Sequence, residues 1–294
     1  MTIKKAVIPA AGFGTRFLPA SKAVPKELLP IVDKPAIQYI TEEAIDTGIT
    51  QVILVTGREK GSIEDHFDIS FELEHHLKTK GKDDLLKMVQ NISEMVQIVS
   101  VRQKMPLGLG HAILCAKQIV GNHPFAVLLA DDIVDANPPC LRQMIDVYNR
   151  MGRGIVLAIK EVPGDEVYQY GIIDGEGVEE RLYRVRSLVE KPSVGEAPSN
   201  LAVIGRYLLP PEIFEVLESL PPGKGGEIQL TDAIARLGEH FPIYGYRFEG
   251  DRYDAGDKMG FFIANVRFGL KHPELGPRIS EFLAKVVEEM KGKS

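Results

Sequence analysis

The stretch Ala6 to Pro30, AVIPAAGFGTRFLPASKAVPKELLP, decides how the rest of the chain is read. Ala6-Val7-Ile8 is an apolar run too short for a helix. Pro9 bounds it, so it reads as a buried strand. The loop that follows, Ala10-Ala11-Gly12-Phe13-Gly14-Thr15, is built mainly of small side chains. They let the backbone approach a bulky ligand, and successive N–H groups there can cup an anion. Three cations come next, Arg16, Lys22 and Lys26. Basic side chains just past a backbone nest point to several phosphates, not one.

Two familiar phosphate loops are excluded by spacing. Gly12 and Gly14 supply G-x-G, but Phe17 stands where a Rossmann loop wants glycine. The chain has no G-x-x-x-x-G-K-[ST] run, and its cations lie too far downstream for one. A plain strand-to-helix turn with surface lysines would explain a lone glycine pair. The full run G-x-G-T-R-x-L-P-x-S-K-x-x-P-K is too unusual for that.

This run resembles the signature of the sugar-1-phosphate nucleotidylyltransferases. The likeness is nearest to the bacterial members that transfer UMP from UTP to glucose 1-phosphate. It continues through Pro30-Ile31-Val32-Asp33-Lys34-Pro35-Ala36-Ile37-Gln38-Tyr39 and on to about residue 265. The resemblance implies that Ala10, Ala11, Gly12 and Gly14 contact the nucleotide. It also implies that Arg16 and Lys26 steady the triphosphate and the departing pyrophosphate, with Mg²⁺ as cofactor.

Composition sets wider bounds. A chain of 294 residues is one large or two small domains and can bury a sizeable core. The apolar and charged fractions, 44% and 26%, are those of a globular protein in water. A net charge of −6 argues against general nucleic-acid affinity, because no excess of cations is present to displace counterions. Cys115 and Cys140 form no C-x-x-C pair and suit a reducing compartment. No signal-peptide pattern follows Lys4-Lys5, and no run approaches the roughly 20 apolar residues of a membrane span. The expectation is a cytoplasmic protein with no membrane or nucleic-acid partner.

Strand and helix patterns then alternate. Ile37 to Thr47 predicts a helix, ended by Gly48. Gln51 to Thr56 predicts a strand. Ile63 to about Met95 reads as a polar helical region, broken in two at Gly81-Lys82. His75-His76 is no metal pair, since adjacent helical residues point to different sides. Val96 to Val101 alternates as a strand and enters the second strong motif, R-Q-x-x-P-L-G-L-G-H-A from Arg102 to Ala112. Its glycines offer close backbone approach at a helix N-terminus. The Gln103 amide carries a donor and an acceptor that suit a pyrimidine edge. The resemblance implies that Gln103, Pro106 and Gly108 hold uracil and ribose.

Phe125 to Ala130 is a continuous apolar run, as in a central strand covered on both faces, and it ends in Asp131-Asp132. An acidic pair at such a carboxyl end can hold Mg²⁺. Asp132 reads as a cap of the next element; Asp131 matches the family's metal ligand. Gly154 to Ile159 is another strand. Tyr170–Ile173, Leu182–Val185 and Val189–Pro192 read as three short strands separated by turns at Asp174-Gly175 and Glu176-Gly177. By resemblance this segment builds the sugar side: Gly171 leaves room for the ring, Glu190 binds hydroxyls, Lys191 holds the sugar phosphate, and Asn200 is a further sugar contact. Thr231 and Asp232 read as possible caps, and Glu227 as a weaker sugar-site candidate. The run Gly250 to Asp257 resembles the family's R-Y-D-x-G, which implies Asp254 as the second metal ligand.

The expected fold is α/β, with a Rossmann-like mixed and mainly parallel sheet flanked by helices and a smaller antiparallel sugar-side subdomain. The division expected is a catalytic domain at 1–270, with that subdomain at about 160–225. An amphipathic helix from Pro277 to Lys293 docks on the core or on a partner subunit. The resemblance suggests a homodimer or homotetramer. The rival readings are thymidylyl transfer or broader specificity and, further off, a non-catalytic sugar-nucleotide-binding regulator. The regulator predicts loss of the metal or basic residues, and all of them are present.

Overall fold

The computed structural model describes residues 2–152 and 154–292. In chain order it forms β1 (Lys5–Ala10), two short strands β2 (Pro30–Ile31) and β3 (Lys34–Pro35), α1 (Ala36–Asp46) and β4 (Gln51–Thr56). Helices α2 (Gly61–Phe67), α3 (Phe71–Thr79) and α4 (Asp83–Glu94) lead to β5 (Gln97–Arg102), then α5 (Leu109–Cys115) and α6 (Lys117–Val120). Next come β6 (Phe125–Leu128), β7 (Asp132–Asp135), α7 (Cys140–Met151), β8 (Ile155–Glu161), β9 (Gly171–Glu179), β10 (Leu182–Glu190) and β11 (Leu201–Leu209). The chain closes with α8 (Ile213–Ser219), α9 (Leu230–Leu237), β12 (Ile243–Arg247), β13 (Asp251–Asp254), α10 (Lys258–Lys271) and α11 (Gly276–Lys291).

Nine of these strands make one sheet, ordered β5-β4-β1-β6-β11-β8-β12-β10-β9. All run the same way except β11 and β10. The sheet is therefore mixed with a parallel majority, as expected. Strand alternation splits the core into two layers. Ala6, Ile8 and Ala10 of β1 face one side with Ile37 and Ile40 of α1 and Leu141 and Met144 of α7. Val7 faces the other with Ile113 of α5, Phe214 of α8 and Ile234 of α9. β6 repeats the split, with Ala126 and Leu128 on the first face and Phe125 and Val127 on the second. Strand β7, just after β6, leaves this sheet and pairs with β13 alone.

Three local readings change. β1 runs through Pro9, because β1 is registered there only with β4; its ladder to β6 covers Ala6 and Val7. The missing N–H of Pro9 is tolerated at such a position. The 63–95 region is three helices, since the chain also leaves helix at Asp68, whose backbone is extended (φ −89°, ψ 163°). The three short sugar-side strands are one hairpin of two nine-residue strands. Asp174-Gly175 and Glu176-Gly177 lie inside β9, and the turn is at Glu180-Arg181. The hairpin's register shifts between Val185 and Ser187. A Cβ on Gly175 would stand 3.2 Å from Tyr183 Cβ, so a close approach, not a turn, favours glycine there. This hairpin extends the nine-stranded sheet and forms no separate one.

The tail forms α11, with Lys293 outside the described residues. Among the described residues, no helix is long and apolar enough to cross a membrane.

Candidate active site

The carboxyl ends of β1, β5 and β6 converge at one edge of the sheet, where open α/β sheets bind ligands. Two cavities lie there. One, about 580 Å³, is lined by Ala11, Gly12, Phe13, Arg16, Gln103, Pro106, Gly108, Leu109 and Glu227 among others. The other, about 420 Å³, is lined by Arg16, Asp131, Asp132, Tyr170, Gly171, Glu190, Lys191, Thr231, Arg252 and Asp254 among others. Arg16, Leu109 and Glu227 belong to both, so the cavities adjoin at Arg16. The sites expected for nucleotide and for sugar phosphate are thus neighbours.

The first cavity owes its shape to glycine. Gly108 has φ 94°, and a Cβ on it would stand 2.7 Å from Glu227 Cβ. Leu107 and Gly110 exchange backbone hydrogen bonds with Ile228, which ties the motif to the segment before α9. Gln103 is buried and donates to the Gly108 carbonyl at 3.1 Å, with His111 Nδ1 at 3.0 Å. Gly14 adopts φ 66° and its carbonyl accepts from the Ser21 hydroxyl at 2.7 Å. It shapes the loop and does not line either cavity, nor does the buried Ala10.

At the boundary, Lys26 Nζ donates to Asp131 Oδ2 at 2.5 Å, and Arg16 Nη2 lies 3.8 Å from the same oxygen. Burial alone would raise the Asp131 carboxyl, but Lys26 and Arg16 outweigh it and hold it below its ordinary range. Burial would lower the Lys26 ammonium, and Asp131 reverses that and raises it. Both groups therefore stay ionised. Lys26 is itself braced by its neighbour: the buried Glu27 takes Lys60 Nζ at 2.7 Å.

Asp254 comes from β13. Its Oδ1 accepts the Gly256 N–H at 2.9 Å, and Ala255 N–H donates to the Asp131 carbonyl at 2.7 Å. Burial, then Asp132, pushes the Asp254 carboxyl up. A Cβ placed on Gly256 would lie 2.6 Å from Asp131 Oδ2, 3.0 Å from Asp254 Oδ1 and 2.9 Å from Arg16 Nη2. Two carboxylates thus converge on one small space. Among the described residues, no cluster of three or more potential ligands exists. Two hard oxygen donors facing one space fit a divalent cation of the kind that prefers oxygen ligands.

Asp132 is no cap. It is buried in β7, accepts the Gly205 N–H at 3.1 Å, and accepts from Arg252 at 2.5 Å. A Cβ on Gly205 would sit 2.4 Å from its Oδ2.

In the second cavity, Thr231 donates to Glu190 Oε2 at 2.6 Å. A Cβ on Gly171 would meet both groups at 3.4 Å, so glycine keeps that wall open. Thr231 does not cap α9, whose N-cap position is Gln229. Lys191 stands 3.3 Å from Glu190 and has φ 46°. Asn200 is exposed and lines neither cavity; its carbonyl accepts from Val162 N–H. Sequence reasoning missed Tyr170, Thr231 as a contact, and Arg252. Only Arg252 carried a signal: in a strand, it shares a face with Asp254 two residues on.

Two adjoining cavities at the strand ends, with the ionised Lys26–Asp131 pair beside the arginine they share, suit transfer of a nucleotidyl group between two bound substrates. The chain belongs to the nucleotidyl transferase family, whose model matches residues 5–268. It is similar to the UTP–glucose-1-phosphate uridylyltransferase of Staphylococcus haemolyticus, at 53% identity over 97% of this chain and 98% of that protein. A UTP-bound UGPase from Acinetobacter baumannii matches with a TM-score of 0.90 and 47% identity, over 96% of this chain and 99% of the other. A UDP-glucose pyrophosphorylase solved with UDP-glucose matches with a TM-score of 0.85 and 47% identity, over 92% and 100%.

Proposed function

We propose that this chain transfers UMP from UTP to glucose 1-phosphate, giving UDP-glucose and pyrophosphate. The observation that carries the reading is the junction of the two cavities at Arg16, with Asp131 and Lys26 beside it. A nucleotide in the first cavity would present its phosphates there to a sugar phosphate in the second. The sugar-phosphate oxygen attacks the α-phosphorus and is already anionic. No general base is required, and positioning with charge stabilisation supplies the catalysis.

The roles follow from place and charge. Ala11, Gly12, Gln103, Pro106 and Gly108 hold the nucleoside, with Ala10 and Gly14 supporting the loop. Lys26 and Arg16 steady the triphosphate and the leaving pyrophosphate. Gly171, Glu190 and Lys191 seat the sugar phosphate; Asn200 lines neither cavity, and its sugar role rests on the resemblance alone. Asp131 and Asp254 would hold Mg²⁺, which when bound offsets the repulsion between the two anions. We also propose a cytoplasmic homodimer or homotetramer, a catalytic domain over 1–270 and a docking role for α11, where Phe282 and Val287 are exposed.

The test is pyrophosphate release from glucose 1-phosphate, with UTP and dTTP side by side, with and without Mg²⁺. Strong Mg²⁺-dependent release with UTP and much less with dTTP is expected. Comparable use of both would widen the nucleotide assignment, since one methyl group is worth only about 1–3 kcal/mol in a pocket. Silence with both, from folded protein, would overturn the reading in favour of a binding protein.

A further inference from the structure

The β7–β13 ladder sets Asp254 directly opposite Asp132. Like charges facing across a strand pair repel, so something must hold the two acids in place. Arg252 does so. Its Nε donates to Asp132 Oδ1 at 2.6 Å, its Nη2 lies 3.3 Å from Asp254 Oδ2, and its Nη1 donates to the Tyr170 hydroxyl at 3.1 Å. The Tyr170 ring also lies under the guanidinium, 5.3 Å from centroid to Cζ. Tyr170 in turn takes the Lys191 N–H on its carbonyl at 2.9 Å. Lys191 is in the left-handed region at φ 46°, a conformation that persists only where its surroundings impose it.

We propose that Arg252 and Tyr170 are positioning residues that lock the acidic side of the site to the sugar-phosphate side. One connected path runs from Asp254 and Asp132 through Arg252 and the Tyr170 ring to the Lys191 backbone. Its purpose is spacing: a misplacement of about 1 Å between reacting groups can cost on the order of a hundredfold in rate, and the groups joined here come from β13 and from the end of β10. A fork of five donors reaches three acceptors lying in different directions, which the single ammonium of lysine cannot do. The inference rests on the functional reading above.

The variants Arg252→Gln, Arg252→Lys and Tyr170→Phe test it. The readouts are steady-state kinetics and Mn²⁺ binding by electron paramagnetic resonance in the presence of UTP. Arg252→Gln is expected to weaken Mn²⁺ binding by about 10–100-fold, the usual effect of losing a group that orients metal ligands. UTP binding without metal should stay within twofold of wild type. Arg252→Lys should stay within a few-fold of Arg252→Gln, because charge alone does not replace the fork. Tyr170→Phe should raise the KM for glucose 1-phosphate and lower kcat while leaving the KM for UTP unchanged. Full recovery in Arg252→Lys would overturn the proposal. So would wild-type Mn²⁺ binding in Arg252→Gln, or unchanged glucose 1-phosphate kinetics in Tyr170→Phe. If Arg252→Gln does not fold, the other two variants decide. A wild-type chain that neither binds Mn²⁺ nor releases pyrophosphate overturns the functional reading itself; a competent wild type with unaffected variants overturns only this inference.

Discussion

Lys26 and Asp131 lie 2.5 Å apart beside Arg16, which lines both cavities, while Lys26 itself lines neither. Each favours the ionised form of the other, and the proposed reaction uses both. Lys26→Ala is expected to lower kcat by on the order of a hundredfold, the usual effect of deleting a preorganised charge contact. The pH profile carries a second sign. In the wild type, Asp131 stays ionised as pH falls, until its lowered pKa is reached. Without Lys26 its burial is less compensated, so its pKa moves up. The acidic limb of the residual activity should then lie at higher pH than in wild type. Gly108→Ala acts on the other cavity. A φ of 94° and a Cβ 2.7 Å from Glu227 leave no unstrained place for alanine. Left-handed strain of about 1–3 kcal/mol, expressed on the UTP-bound form, corresponds to a rise in the KM for UTP of roughly 5- to 150-fold. An unchanged KM would remove Gly108 from the nucleotide site.

At the scale of elements, one buried ion pair joins four of them. Glu43 of α1 binds the fully buried Arg206 of β11 through both oxygens, and its Oε1 accepts the Leu141 N–H at the start of α7. Arg206 also donates to the Asp132 carbonyl at the start of β7, at 2.7 Å. Glu43→Gln leaves Arg206 buried without its counter-charge. Breaking a buried pair in this way costs about 3–5 kcal/mol, which the urea midpoint would read. A second element prediction concerns α10. Asp257 caps it, accepting from Met259 and Gly260 N–H groups, and those bonds hold its carboxyl below the ordinary range. The folded-state pKa is depressed, so the cap stabilises above about pH 4 and is lost as pH falls through that range. Asp257→Ala should cost roughly 1 kcal/mol at neutral pH and less in acid, by thermal unfolding at each pH.

Across the whole molecule, the site is assembled from segments distant in sequence. Lys26 meets Asp131, Asp131 meets the Ala255 backbone, and Arg252 meets Tyr170. A ligand that bridges these segments should therefore stabilise the entire fold. UTP at a hundredfold excess over its Kd is expected to add about 2.7 kcal/mol to the stability of the native state. A thermal shift with UTP, absent with uridine alone, would show that the triphosphate contacts contribute it. The two cavities also stand where β1, β5 and β6 end, so the sheet's topology fixes their adjacency before any side chain does.

Much of this was legible in the chain. The alternation of Ala6, Val7 and Ile8, the small-residue loop, the two glycine motifs and the apolar run ending in Asp131 depend on local geometry, which short stretches of sequence encode. They determined the α/β class, the first cavity and the charged residues to suspect. What the sequence left open depends on pairing between distant strands. The glycines of β9 read as turns locally, yet lie within a hairpin because their crowded neighbours come from β10. Asp132 read as a cap, yet serves Gly205 and Arg252, 73 and 120 residues away. Thr231 read as a cap, yet holds Glu190. A hydrogen bond has no sequence period when its partner lies on another strand. Only the tertiary structure could decide which polar groups met.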